Sequence, residues 1–336
     1  NKDNLSVKGK LFKPRDAKLF KQRNALGNTG GQYYVAENPT FGAVFTYHLK
    51  DAPETIKSKR KKEEASLNKE SKDIPFPGYE SLTEEMREKP ATLILSINDL
   101  EGNLIRNVNK RASKGSGRIA WDLKHKSYYT ITGRSGWRES TGPFVTPGKY
   151  YATLYMKKDG ELEKLDGPIE FGVKLLREGV LKGASFEEYN SHASDLAIVY
   201  KEYSVYSDTF SRLQSKLNLL EKALMLTESL NEDMFTELEK VKNEYLSLRD
   251  KYGTNPAKND IGEWDKPTIG SRLSIASQGL STFYGPTEMN KYNLELSKKL
   301  VSDYKKDVEL INSKVKEIEK KIKELNHPHI SGSGIN

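Results

Sequence analysis

A heptad seam in the C-terminal half limits the fold more than any other feature. Leu196, Val199, Tyr203, Tyr206, Phe210, Leu213, Leu217, Leu220 and Leu224 alternate at spacings of three and four, the pattern of a helix that buries one stripe against partners. Phe186 and Tyr189 extend it upstream, with Ser185 as N-cap. A second seam, Met234, Leu238, Val241, Tyr245, Leu248 and Tyr252, opens after Asn231 and stops at Gly253. A third, Val301, Tyr304, Val308, Ile311, Val315, Ile318, Ile322 and Leu325, follows Gly285-Pro286-Thr287-Glu288, with Pro286 near its first turn. Between them Thr254–Pro267 reads as a loop holding Trp264, and Thr268–Tyr284 as a short helix weakened by glycines. Such seams serve an internal bundle or an intermolecular coiled coil. Three in one chain favour an antiparallel bundle of long α-helices over residues 181–326, the last helix antiparallel to the two before it. Residues 327–336 read as a flexible tail, with Ser331-Gly332-Ser333-Gly334 after two histidines.

The first half has the other period. Ile119, Trp121 and Leu123 alternate with Arg118, Ala120 and Asp122. Leu93–Ile97 and Leu104–Val108 flank the turn-rich Asp99–Asn103, and Tyr150–Tyr155 leads to the hairpin signal Lys158-Asp159-Gly160. Phe41–Leu49 reads as a buried first strand, its lone His48 structural. These short strands predict an Ig-like antiparallel β-sandwich over residues 32–180. Residues 52–89 form a charged helical insertion in it. There Thr55–Lys72 reads as a solvated helix in preference to a basic patch for phosphate, with pairs such as Lys59–Glu63 worth about 0.2–0.5 kcal/mol each. Ser81-Leu82-Thr83-Glu84 resembles a capping box opening a second helix. Residues 1–31, with Leu11-Phe12 and Leu19-Phe20 among many cations, read as an entry segment packing along another surface. The fold class expected is therefore α+β, a sandwich followed by a bundle.

Composition narrows function by exclusion. With no cysteine, the chain has no disulfide, thiolate zinc site or thiol nucleophile. No apolar run reaches the roughly 20 residues of a membrane span. The net charge of +8 permits anionic partners, yet no nucleic-acid motif accompanies it, so no nucleic acid is expected. There is no Gly-x-Ser-x-Gly elbow, no His-Glu-x-x-His, no phosphate loop and no EF-hand. Asp99, Asp122, Glu139 and Asp166 give no reason to pair as glycosidase carboxylates. No catalytic residue, metal or cofactor is expected. The residues singled out for ligand contact are Tyr128, Tyr129, Arg134, Trp137 and Arg138, aromatics and arginines on the glycine-bearing stretch His125–Phe144. Such a loop suits glycan stacking or partner contact; the same rings also suit covering an end of the sandwich.

The order of motifs resembles a known family. Leu11-Phe12-Lys13-Pro14-Arg15-Asp16-Ala17, then Tyr33–Ala36, then Asn38–Asp51 is similar to the region after the β-propeller in large exported bacterial proteins with sortilin-like, Asp-box repeats, often labelled glycosyl hydrolases. Asp99–Asn103 with Arg106, Gly117–Leu123 and Val145–Tyr150 resemble that family's Ig-like module, similar to the one in flagellar hook-capping proteins. Gly285-Pro286-Thr287 and the final helix resemble the family's C-terminal end. No Asp-box pattern occurs in this sequence. The resemblance implies a propeller upstream and export to the periplasm or cell surface. The chain, beginning at Asn1 rather than Met, is expected to be a processed or partial product. The function implied is a non-catalytic accessory region that docks the propeller and offers a helical surface to an envelope protein or a second copy. The alternative is part of a glycan-binding or glycan-hydrolysing enzyme.

Overall fold

The structure is a computed structural model describing residues 6–21, 38–128, 141–228, 230–325 and 330. The chain is mixed α and β and divides into two compact units, Asn1–Lys126 with Thr141–Val180, and Ser127–Ser140 with Leu181–Asn336.

The described residues of the first unit form ten strands. β1 (Gly9–Leu11), β3 (Ala43–Leu49) and β6 (Gly115–Trp121) form an antiparallel three-stranded sheet in the order β1-β3-β6. β2 (Ala17–Leu19), β10 (Glu161–Leu175), β9 (Gly148–Lys158), β4 (Thr92–Asn98) and β5 (Leu104–Arg111) form a second sheet in that order, β2 parallel to β10 and the rest antiparallel. β7 (Lys124–Lys126) pairs with β8 (Thr141–Phe144). Alternation decides the faces. Ala43, Phe45, Tyr47 and Leu49 are buried, as are Leu93, Leu95 and Ile97. The two inner faces meet through rings. Phe45 lies edge-on to Phe171 at 5.0 Å, and Trp121 touches Tyr150 at 5.6 Å and Phe171 at 6.1 Å. Trp121 is wholly buried, and its indole N–H donates to the Lys124 carbonyl at 2.9 Å, so its polar atom is satisfied.

The N-terminal segment read as packing along another surface instead supplies strands to both sheets. Leu11, Ala17 and Leu19 are buried within this unit. Asp166 accepts from the Leu11 amide at 2.8 Å, and Asp16 accepts from the Gly172 amide at 3.2 Å, tying the segment to β10. Burial pushes the Asp166 carboxyl up, but the Leu11 and Gly167 amides and Lys10 outweigh it and hold the group below its ordinary value. The Phe41–Leu49 strand is accordingly the middle of its sheet. Gly115-Ser116-Gly117 opens β6. His48 only meets Ser116 Oγ at 3.1 Å.

The insertion is a helical hairpin of α1 (Ile56–Lys69) and α2 (Tyr79–Arg87). Thr55 caps α1 by accepting from Ser58 N. α2 begins two residues before the expected capping box, after Gly78, and Ser81 lies inside it. Arg60 joins the helices by forking onto Glu85 at 2.5 and 2.8 Å and also bonds Glu64, in place of the expected Lys59–Glu63 pair. The two carboxylates raise the Arg60 guanidinium further above its ordinary value.

The second unit contains α3 (Phe186–Met225), α4 (Glu232–Tyr252), α5 (Pro256–Asp260), α6 (Ile269–Gln278) and α7 (Glu288–Lys323). Ser185, Asn231, Thr268 and Thr287 each cap a helix through their side chains, and Thr287 forms a reciprocal box with Asn290. Pro286 stands just before that cap, near the first turn as expected. α6 stops at Gln278, six residues short of the expected Tyr284, where Gly279 lies against Pro286 and Asn290. The seam residues of α3, α4 and α7 share one apolar core with Leu273 and Ala276 of α6.

The helix directions differ from the expectation. Asp195–Lys298, Glu202–Lys305, Tyr206–Glu309 and Lys216–Glu319 all join α3 to α7 at a constant separation of 103 positions. A constant difference means parallel helices. Against α4 the numbers run oppositely: Asp307–Lys251, Glu244–Lys314 and Glu237–Lys321. α7 is thus antiparallel to α4 and parallel to α3. The cause is α6. Tyr189 Oη donates to the Leu280 carbonyl at 3.1 Å and His192 Nε2 meets the Ala276 carbonyl at 3.0 Å, so the α6 segment runs back along the first half of α3. α4 and α6 together make one descending limb, and α7 starts again beside the start of α3.

Candidate interaction surface

A wide opening in the helical unit lies between α4 and α7. Heptad packing closes a seam only where large side chains interleave. Along this stretch the short polar Thr236, Asn243 and Ser247 of α4 line the opening and are exposed. The result is a groove of about 1040 Å³. Its floor is apolar, with Leu238 and Ile311 buried and Phe235 and Leu248 half-buried, while Leu310 at its edge is 58% exposed.

Charged pairs frame it. Lys314 reaches Glu244 at 2.5 Å, and Lys242 reaches Glu221 at 3.0 Å. At one end Asp307 accepts from Lys251 Nζ at 2.8 Å and Tyr252 Oη at 2.6 Å. Burial opposes the Asp307 charge, but these two donors hold its carboxyl below the ordinary value. Burial, and then the bond to Asp307, pushes the Tyr252 phenol up to about 12. Beside it Phe210, Tyr245, Tyr252 and Tyr304 form a ring cluster joining α3, α4 and α7, with Phe210 stacked on Tyr245 at 4.5 Å. Its carboxylates are held in ion pairs, and the described residues hold no group of histidines and carboxylates able to bind a metal. The chemistry on offer is apolar burial with a charged rim, which is recognition.

Of the loop residues singled out by sequence, Tyr128 is half-buried, and that burial pushes its phenol upward. Tyr129, Arg134, Trp137 and Arg138 lie outside the described residues, as do Tyr33–Ala36 and His327–His329. The neighbouring His125 is shifted down by burial, which Asp99 opposes in part. Trp264, placed in a loop, is 96% exposed. The groove was missed because its apolar residues Phe235 and Leu310 sit one position outside the heptad stripes. That off-register placement, shared by two helices, is the signal that could have found it.

No family model, curated protein or solved structure gives a significant match to the chain. Among the described residues no helix is long and apolar enough to cross a membrane.

Proposed function

We propose that the chain is a non-catalytic accessory and interaction region of an exported bacterial β-propeller protein of the sortilin-like type. In this reading the strand unit is an Ig-like β-sandwich that docks the upstream propeller. The helical unit is a bundle presenting a surface to an envelope protein or a second copy. The groove between α4 and α7 carries the reading, because an apolar floor left open inside an otherwise closed seam is a place for another chain. The sequence motifs from Asn38 to Asp51 and from Gly285 to Thr287 support the family and the periplasmic or cell-surface location.

The test uses the full chain and its Leu310→Glu variant, compared in solution mass over a concentration series and in retention of envelope proteins. The reading expects self-association or retention that Leu310→Glu abolishes. Identical behaviour of the two chains refutes the surface, and glycan hydrolysis by the isolated chain refutes the non-catalytic role.

A further inference from the structure

The outer face of the five-stranded sheet carries a second arrangement, independent of the helical groove. Register and alternation place its side chains in rows across the strands. One row is Arg111, Thr92, Lys157 and Leu162. The next is Asn109, Ile94, Tyr155 and Lys164, and beyond it come Asn107 with Ser96, then Asn98 with Tyr151. Tyr151 and Tyr155 are half-buried on one strand, four residues and about 13 Å apart. Each offers an amphipathic ring at the level of the face. Asn107 and Asn109 are exposed carboxamides, and neither they nor Tyr155 Oη bond another described residue, so their donors and acceptors point outward unspent.

The charge on this face is positive and uneven. Arg111, Lys157 and Lys164 are exposed and cluster at one end. At the other end Lys149 is neutralised by Glu170 at 3.0 Å, and Tyr151 Oη lies 3.5 Å from the same carboxylate. A uniformly charged phosphate chain matches such a face poorly, because it needs cations along its whole path. A membrane surface is equally ill matched, since among the described residues these rows expose large apolar side chains only at Leu162 in the first row and Leu104 opposite Asn98 in the last, too far apart to form one apolar patch. Hydroxyl-rich rings suit the tyrosines and carboxamides, and a sparse carboxylate suits the Arg111 fork and the two lysines. We propose that this face binds a linear polysaccharide in which carboxylated sugars stand among neutral ones, the neutral rings over Tyr151 and Tyr155 and a carboxylate at Arg111, Lys157 and Lys164.

The proposal goes beyond the interaction role of the helices, and Leu310→Glu leaves it untouched. The experiment is titration calorimetry of the full chain with three linear glycans in which carboxylated sugars stand among neutral ones (hyaluronan oligosaccharides, unsulfated chondroitin and gellan), with neutral cello-oligosaccharides and with oligodeoxythymidine. At least one acidic glycan should bind more tightly than the neutral chain and the oligonucleotide. The exposed-site variant Lys157→Gln/Lys164→Gln, which leaves the core intact, should weaken it at least tenfold. Tyr155→Ala should do the same, with near-ultraviolet circular dichroism confirming the fold. Absence of binding to all three acidic glycans overturns the proposal. So does unchanged affinity in Lys157→Gln/Lys164→Gln, or tighter binding of the neutral glycan or the oligonucleotide.

Discussion

Replacing Phe210 by alanine tests whether three helices meet as one cooperative core. Phe210 of α3 is 9% exposed, stacks on Tyr245 of α4 at 4.5 Å and meets Tyr304 of α7 edge-on at 5.9 Å. Truncating a buried phenylalanine costs about 3–5 kcal/mol through lost transfer energy and the cavity left behind. The two ring contacts, at about 0.5–1.5 kcal/mol each, place the loss at the upper end of that range. For a unit of roughly 150 residues, about 2–4 °C is lost per kcal/mol, so the helical transition should fall by about 8–20 °C. Phe210→Leu keeps most of the volume and should lose less than about 1.5 kcal/mol. Thermal and urea unfolding followed at 222 nm measure both. If Phe210→Ala costs less than about 1 kcal/mol, the residue does not join α3 to both partners, and the parallel arrangement loses its central support.

Four further outcomes are expected. Ser297 is fully buried with its hydroxyl unpartnered, so Ser297→Ala should be neutral or stabilising by up to about 1 kcal/mol in urea unfolding, because an unsatisfied buried hydroxyl is removed. Gly42 has φ of +103°, and a Cβ there would lie 1.9 Å from the Trp121 carbonyl oxygen; Gly42→Ala should cost about 3 kcal/mol and lower the melting temperature of the strand unit. Tyr252 has its folded pKa raised from 10.0 to about 12, so its stabilising contribution is complete below pH 10 and is lost as pH climbs through 12. Alkaline unfolding of Tyr252→Phe should lack that loss, and ultraviolet titration should lose one late-ionising phenol. The Asp265 carboxyl is held at about 2, chiefly by the Asn255 and Lys266 amides, so its contribution persists above pH 3.8 and fades as pH falls towards 2. Protection of those two amides against hydrogen exchange, taken relative to the intrinsic rate at each pH, should fall over that window, and in Asp265→Asn it should be low already at neutral pH.

The sequence carried the positions of the first two long helices well because each seam coincided with its own cap. Ser185 and Asn231 both sit where the heptads begin, and Gly253 sits where the second ends. Direction was not legible, since a heptad stripe reads the same against a parallel or an antiparallel partner. The deciding element, α6, is ten residues long and too short for a seam of its own. In the strand unit, alternation at Phe45, Tyr47 and Trp121 announced the inner faces. The three-residue strands β1 and β2 did not announce themselves, because Leu11 and Leu19 stand among cations that mask the period. The outer sheet face was illegible for a related reason. Asn107, Asn109 and Tyr155 come together only through register across β5, β4 and β9, which no local pattern in the sequence displays.

The constant offset of 103 between α3 and α7 makes the helical unit a ruler. Asp195, Glu202 and Lys216 recur at multiples of seven, and so do their partners Lys298, Lys305 and Glu319. Seven residues added in step to α3, α4 and α7 would repeat the same rung and lengthen the helical unit by about 10 Å, turning what lies beyond by only about 20°. Insertions of three or four residues would break the rungs and rotate everything beyond them. Homologues of this chain should therefore differ in reach by whole heptads, each carrying its own graduation mark of paired lysine and carboxylate.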